Sequence, residues 1–531
     1  MKYIDYVQLN FFQRFWYKLK LFFKNLPRNI VKFFSAIGRF FKKIGIAIGK
    51  GCAGFVTRFI KGDWATKLSY LIMGFGNIVR GQIVKGCIFL ATEVLYILFI
   101  VTFGIQYLSK FGTLGTRASE TLYRNPKTGE TISFDNTWTP EAMRAEVRAN
   151  YKGYRKAGEQ IYDNSMLILL FGVLTIIITV IFIIVYVRNT KSAYKAQQDV
   201  AAGIKPIGFK EESKQFLDSK FHVTLLAFPT LTISVFTILP LIFMILIAFT
   251  NFDHAHHETA QLFSWVGLDT FRQVFDVSGA KNFGKTFLEL TKWTLIWAVF
   301  ATVLNYILGM VVALMINKKG IKLKALWRTL FVVTIAVPQF VSLLLMSQML
   351  NQNDGVINHI LVDILHILPE PVDFLAASAD NMWVSRITVI VVNCWVGIPY
   401  TILITSGILM NIPADLYESA TIDGAGPVKS FFKITLPYML FVTTPYLITS
   451  FVGNINNFNV IYLLVGDKTS NDLANAGYTD LLVTWLFRLT MSEKDYNIAA
   501  AIGILVFVVC ATVSLLTFNL TKSAKNEEEF S

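Results

Sequence analysis

The chain has 531 residues, of which 54% are hydrophobic, 14% aromatic and only 16% charged, a membrane protein's composition rather than a soluble domain's. Its formal net charge of +14 sits in one place: residues 1–85 hold sixteen Lys and Arg against Asp5 and Asp63, and the rest of the chain balances to zero. A basic excess confined to one arm points to a membrane surface and gives no reason to expect nucleic acid as a partner.

Within that arm, Ile30, Phe33, Phe34, Ile37, Phe40, Phe41 and Ile44 recur at helical spacing, with Lys32, Arg39, Lys42 and Lys43 on the other face. The pattern predicts a basic amphipathic helix in the inner membrane interface, drawn to anionic lipid. An anchor is the simpler reading; a docking surface for another subunit is the alternative. The first apolar run follows 85 residues with no small-residue cleavage site, so no removable signal peptide is expected. Cys52, Cys87, Cys394 and Cys510 form no C-x-x-C pair and suggest neither a disulfide framework nor a metal site.

A membrane-spanning helix needs about 20 largely apolar residues. Eight segments qualify: 86–107, 165–187, 222–249, 293–316, 329–350, 387–410, 438–465 and 496–520. The linkers 188–221 and 317–328 are basic, whereas 351–385 holds five acids and no Lys or Arg. Basic loops stay in the cytoplasm, so both termini are expected inside and the loops 108–164, 250–292, 351–386 and 466–495 outside. The corresponding division is a basic arm over 1–85, two helices with their loop and linker over 86–221, a six-helix domain over 222–520 and a tail over 521–531.

"GAKNFGKT", Gly279 to Thr286, matches the phosphate-loop pattern G-x-x-x-x-G-K-[ST]. That pattern has a mechanism only between a strand and a helix N-terminus. Here it falls in an outside loop with no room for a nucleotide domain, so the match reads as accidental. Any ATP would then be bound by another chain.

The span interiors hold almost no ionisable groups; Glu93, in the first, is the exception. Ion-coupled carriers keep such groups inside the membrane, so an ion-driven cycle is poorly supported. Neutral amides are present instead. Asn393, Gly397 and Tyr400 of "NCWVGIPY" share one helical face, and Gly453, Asn454 and Asn457 of "GNINNF" are expected to share another. Interhelical hydrogen bonding accounts for such amides, and so does a hydroxyl-rich, uncharged ligand, since amides donate and accept and an aromatic face covers a sugar ring.

The loop "NIPADLYESATIDGAGPVKSFFKITLP" (411–437) reads as a helix after Pro413, ended by Gly424 and Gly426-Pro427, followed by a second short helix at a sharp angle over Val428–Leu436. Such a knob fits a groove on a soluble partner, or is simply an ordered loop. Glu418-Ser419-Ala420, Gly424 and Ile434-Thr435-Leu436-Pro437 resemble, in type and spacing, the E-A-A-x₃-G-x₉-I-x-L-P signature of importer-type ABC permeases. With "FNVIYLL" and "AGYTDLLV", the chain is similar over 222–520 to the larger, eight-span permease of the maltose/maltodextrin branch.

This resemblance implies an all-α polytopic membrane fold and a non-catalytic subunit of a bacterial ATP-driven importer. The implied partners are a second permease, two ATP-binding cassette subunits that use the ATP, an extracellular sugar-binding protein or lipoprotein, and an oligosaccharide. By position, Glu418, Ser419, Ala420, Gly424, Ile434, Leu436 and Pro437 would form the ATPase-coupling element. Asn393, Val396, Gly397, Tyr400, Gly453, Asn454 and Asn457 match positions lining the family's sugar site. Ile335 and Gln339 of "TIAVPQF" stand where maltose permeases have Tyr and Ser, and Gly453 replaces an aromatic. The sugar class survives these departures, while another oligosaccharide or a polyol stays open, as does an ion-coupled sugar carrier.

Overall fold

The computed structural model describes residues 35–520, except 36–37, 40–41, 44, 48, 136–137, 258–260, 280–281 and 319. The apolar stripe from Ile30 to Ile44 and the 521–531 tail lie outside the described residues; Arg39, Lys42 and Lys43 are helical and exposed.

In chain order the main elements begin with α1 (Trp64–Leu68), α2 (Phe75–Val79), α3 (Ile83–Lys110), β1 (Ser119–Arg124), β2 (Thr131–Asp135), α4 (Pro140–Asn150) and β3 (Arg155–Ile161). There follow α5 (Ser165–Ala201), α6 (Phe209–Leu217), α7 (Phe221–Ile247), α8 (Asp269–Phe275), α9 (Phe283–Asn317), α10 (Lys324–Ala336), α11 (Gln339–Met349) and α12 (Met382–Met410). The last are α13 (Ala414–Ile422), α14 (Leu436–Ile455), α15 (Phe458–Val465), α16 (Leu482–Met491) and α17 (Tyr496–Leu520). Among the described residues, seven helices are long and apolar enough to cross a membrane, or eight when α10 and α11 count as one bent span. They pack as two compact units, residues 1–109 with 171–237 and residues 110–170 with 238–531.

In the first unit, Asp63 caps α1 by accepting the Thr66 N–H at 2.8 Å and pairs with Arg80 at 2.5 Å. Arg80 also donates to the Gly76 and Ala193 carbonyls. Asn189 of α5, fully buried, accepts the Gly74 N–H and donates to the Ser69 carbonyl. Gly74 has φ +82°, and a Cβ there would lie 2.0 Å from the Gly86 carbonyl oxygen, so only glycine permits this approach of turn to helix. Within the expected arm, 63–82 is folded onto α3 and α5, and Phe55 and Phe59 already pack on Tyr70. Glu93 accepts the Met73 N–H at 2.8 Å, which accounts for an acid within a span.

In the second unit, residues 108–164 are not the plain loop expected. β2, β1 and β3 form an antiparallel sheet in that order, and α4 covers it through Met143 and Val147, buried with Tyr123 and Phe134. The description "all-α" thus holds for the membrane part and misses this small unit. Asp163 closes its base, accepting from Lys110 at 2.5 Å and from the N–H groups of Thr116 and Arg117. Burial alone would raise the Asp163 carboxyl; Lys110 and the two N–H groups outweigh it and hold the carboxyl below its ordinary value.

α9 is the spine of the helical part and packs along both α12 and α14. Trp293 and Trp297 are almost wholly buried and donate to the carbonyls of Thr479 and Asn454. Gly309 faces α12, where a Cβ would lie 2.5 Å from the Thr401 Cβ.

Two of the expected continuous spans are broken. The 329–350 span is α10 and α11, bent by 86° at Val337-Pro338. Proline has no N–H to donate and drives the residue before it out of the helical region; Val337 sits at φ −74°, ψ 123°. The 438–465 span ends its first helix at Ile455, and Asn457 accepts the Val460 N–H to start α15. Gly453, Asn454 and Asn457 therefore do not share one helical face as expected.

Candidate functional site

The break between α10 and α11 opens onto a cavity of about 430 Å³, a volume suited to a small ligand. Thr334, Ile335, Val337, Gln339 and Ser342 line it from the broken span, and Trp395, Val396 and Tyr400 line it from α12. Irregular backbone at membrane depth is tolerated where it faces protein or a wet cavity, which is what this break does. Trp395 is 53% and Tyr400 46% exposed, so both rings present free aromatic surface. Gln339 and Ser342 add polar groups to a mainly apolar wall.

Four of the expected binding residues, Ile335, Gln339, Val396 and Tyr400, thus meet in this cavity. The others do not line it. Asn393 is buried, and Gly397 faces α9, where a Cβ would lie 2.3 Å from the Asn305 Nδ2. Asn454 donates to the Thr302 hydroxyl at 3.0 Å, and Asn457 donates weakly to Asn454 at 3.4 Å. Gly453 faces open space. The sequence pattern alone does not single out Asn305, although it is an amide inside the apolar run "ATVLNYILGM", the same signal that marks Asn393.

The second candidate element is the 411–437 connection. α13 ends in a Schellman arrangement, with the Ala425 N–H bonded to the Ala420 carbonyl at 2.8 Å and Gly424 at φ +73°. Glu418, Ser419 and Gly424 are exposed and Ala420 half-buried. The apolar tips Ile422 and Val428 are 87% and 70% exposed, uncovered by this chain. The Tyr417 hydroxyl shares a 2.8 Å hydrogen bond with Thr435 and ties α13 to the start of the next span.

The second short helix expected over Val428–Leu436 is not a separate element. From Pro427 the chain runs through a π-helical turn at Phe431–Thr435 directly into α14. Such a wider turn suits Pro437, which lacks the N–H of an ordinary α-helical turn. Ile434 and Leu436 are half-buried and Pro437 exposed along this continuous helix.

Of the phosphate-loop letters, Ala280 and Lys281 lie outside the described residues. Gly284 donates its N–H to the Asp276 carbonyl at 3.1 Å, and a Cβ on it would lie 2.6 Å from that backbone. The Thr286 hydroxyl is buried and accepts the Ala474 N–H at 2.8 Å. The segment preceding α9 is the helix α8, not a strand. Gly284 and Thr286 are used in packing, and among the described residues no free N–H groups converge in the way that holds phosphate.

Residues 305–526 match the family described as binding-protein-dependent transport system inner membrane component. The chain is 36% identical over 366 residues to the galactooligosaccharides transport system permease protein GanP of Bacillus subtilis (strain 168), covering 69% of this chain and 85% of that protein. It is 31% identical over 461 residues to the maltodextrin transport system permease protein MdxF of the same organism, covering 86% and 95%. Against the maltose/maltodextrin permease MalF of Klebsiella aerogenes it is 36% identical over 262 residues, 48% of this chain and 49% of that one. The chain belongs to this family: it is a multi-pass membrane permease of the ABC importer class.

Proposed function

We propose that the chain is one of two permease subunits of an ATP-driven importer for maltodextrin-like oligosaccharides in a bacterial cell membrane. An extracellular binding protein delivers the sugar, a second permease completes the pathway, and two ATP-binding cassette subunits supply the energy. This chain does no bond-breaking chemistry. Both termini and the 411–437 connection face the cytoplasm, where the exposed Ile422 and Val428 dock on an ATPase. Closure of the ATPases moves that element, and α14 follows because Pro427 to Ile455 is one unbroken helix tied to α13 through Tyr417 and Thr435.

The observation that carries the substrate class is the cavity at the broken span. Aromatic faces cover a sugar's C–H surface, while Gln339 and Ser342 meet hydroxyls, and no charge is needed. Likeness to GanP favours galactooligosaccharides as a second reading. The test is uptake of maltotriose and of a galactotriose by the reconstituted complex, comparing wild type with Tyr400→Ala and Gln339→Ala. A hydroxyl or ring left without its partner costs about 1–3 kcal/mol, so uptake affinity should fall by about fivefold to a hundredfold. The wild type's preferred trisaccharide decides between the two sugars. Normal uptake in both variants, with the complex assembled, would defeat the sugar-cavity reading.

A further inference from the structure

We infer that Asn305 of α9 is a third-helix determinant of sugar recognition, acting with Asn393 to hold one hydroxyl of the substrate. The inference rests on the sugar-permease reading above. Its starting point is a pair of buried polar atoms. The Asn393 Nδ2, on a side chain 5% exposed, has no acceptor among the described residues, and the buried Asn305 Oδ1 has no donor. A buried amide atom without a partner costs about as much as a lost hydrogen bond, and more so in an apolar surround. One orphan is a donor and the other an acceptor. A hydroxyl both accepts and donates, so a single one satisfies the two together.

Their placement supports this. Asn305 lies against Gly397 and Gly309 against Thr401, so α9 and α12 run parallel and advance four residues together. Asn393 is one turn from Gly397 on the same face of α12. The two amides form no hydrogen bond with each other. α9 also meets α14, where Thr302, one turn from Asn305, accepts from Asn454. Asn305 therefore stands between the amides of α12 and those of the α14–α15 break. It is itself only half-buried, which leaves a route for a ligand's hydroxyl. The absence of a side chain at Gly397 is what leaves room for the Asn305 amide.

The test uses the complete reconstituted complex, maltotriose and a series of its mono-deoxy analogues. Asn305→Leu should raise the uptake KM for maltotriose at least tenfold. For one deoxy analogue, the one lacking the bound hydroxyl, the same substitution should change KM by less than twofold. Gly397→Ala, which keeps Asn305 but crowds its amide, should reproduce this selective pattern and covers the case in which Asn305→Leu fails to assemble. An equal penalty on every analogue, or none on any, overturns the inference, because a packing role or a bound water does not distinguish hydroxyls. If Tyr400→Ala cripples uptake while Asn305→Leu does not, this inference alone fails. If both are silent, the sugar-permease reading fails with it.

Discussion

Asp163 shows how much a single side chain can organise in this molecule. Its carboxylate gathers Lys110 and the N–H groups of Thr116 and Arg117 where the β-unit returns to α5. In Asp163→Asn the ion pair is lost, and an amide turned to keep one N–H contact brings its own NH₂ against other donors. The expected loss is about 1–3 kcal/mol of local stability, read as faster hydrogen exchange over β1 and β3 in the purified chain. Because the folded carboxyl is held below its ordinary value, its contribution is complete above about pH 4 and disappears as pH falls through the lowered value. Wild-type protection should therefore be flat from neutral pH to about pH 5 and fall only in stronger acid. The variant should begin lower and show a smaller acid step; equal protection in the two proteins would show that Asp163 carries no such load. The same residue-level reading changes the expectation for Asn457, which starts α15 and so combines a structural duty with its place in the expected sugar site.

Among the elements, α13 and its glycine turn are the part most exposed to a simple test. Gly424 is at φ +73° with nothing within 4 Å of a built Cβ, so the penalty for a side chain is backbone strain and no clash. For a β-branched residue that strain is about 1–2 kcal/mol or more, enough to open the turn that aims Ile422 and Val428 outward. Gly424→Val should leave membrane insertion intact while sugar uptake and its coupled ATP hydrolysis fall together. Retention of both activities would remove α13 from the coupling role. The element scale is also where helix continuity departs from hydropathy. Apolar character runs straight through Pro338 and Asn456-Asn457, but the backbone breaks at both, and each break places polar groups beside α9, α11 or α12.

For the whole molecule, the question is where the energy enters. The phosphate-loop letters at the start of α9 are used in packing: Gly284 lies against Asp276 and Thr286 bonds to Ala474, while Lys285 is exposed. Lys285→Ala should therefore leave ATP-driven uptake by the reconstituted complex within about twofold of wild type, as an exposed lysine with no ion pair among the described residues contributes little. Loss of nucleotide binding to the complex in that variant would place an ATP site on this chain.

The number and rough limits of the spans, the exposed glycine turn at 424 and the family signature were legible in the sequence, because each depends on local composition or short spacing. Pro338 also announced its break locally through the restraint it puts on Val337, although hydropathy alone reads across it. The small sheet over 119–161 was not legible: "SETLYR", "TISFD" and "RKAGEQI" are short and largely polar, only "TISFD" alternates strictly, and they become strands by pairing with one another. Nor could spacing say which neighbour each amide would meet. Ile335, Gln339, Val396 and Tyr400 converge on a cavity, while Asn393 is buried, Gly397 turns to α9 and Asn454 bonds to Thr302. A helix's period specifies which residues share a face; which helix covers that face is decided by packing between segments far apart in the chain. For that reason Asn305 joins the site only in three dimensions, at the place where α9 is held between α12 and α14.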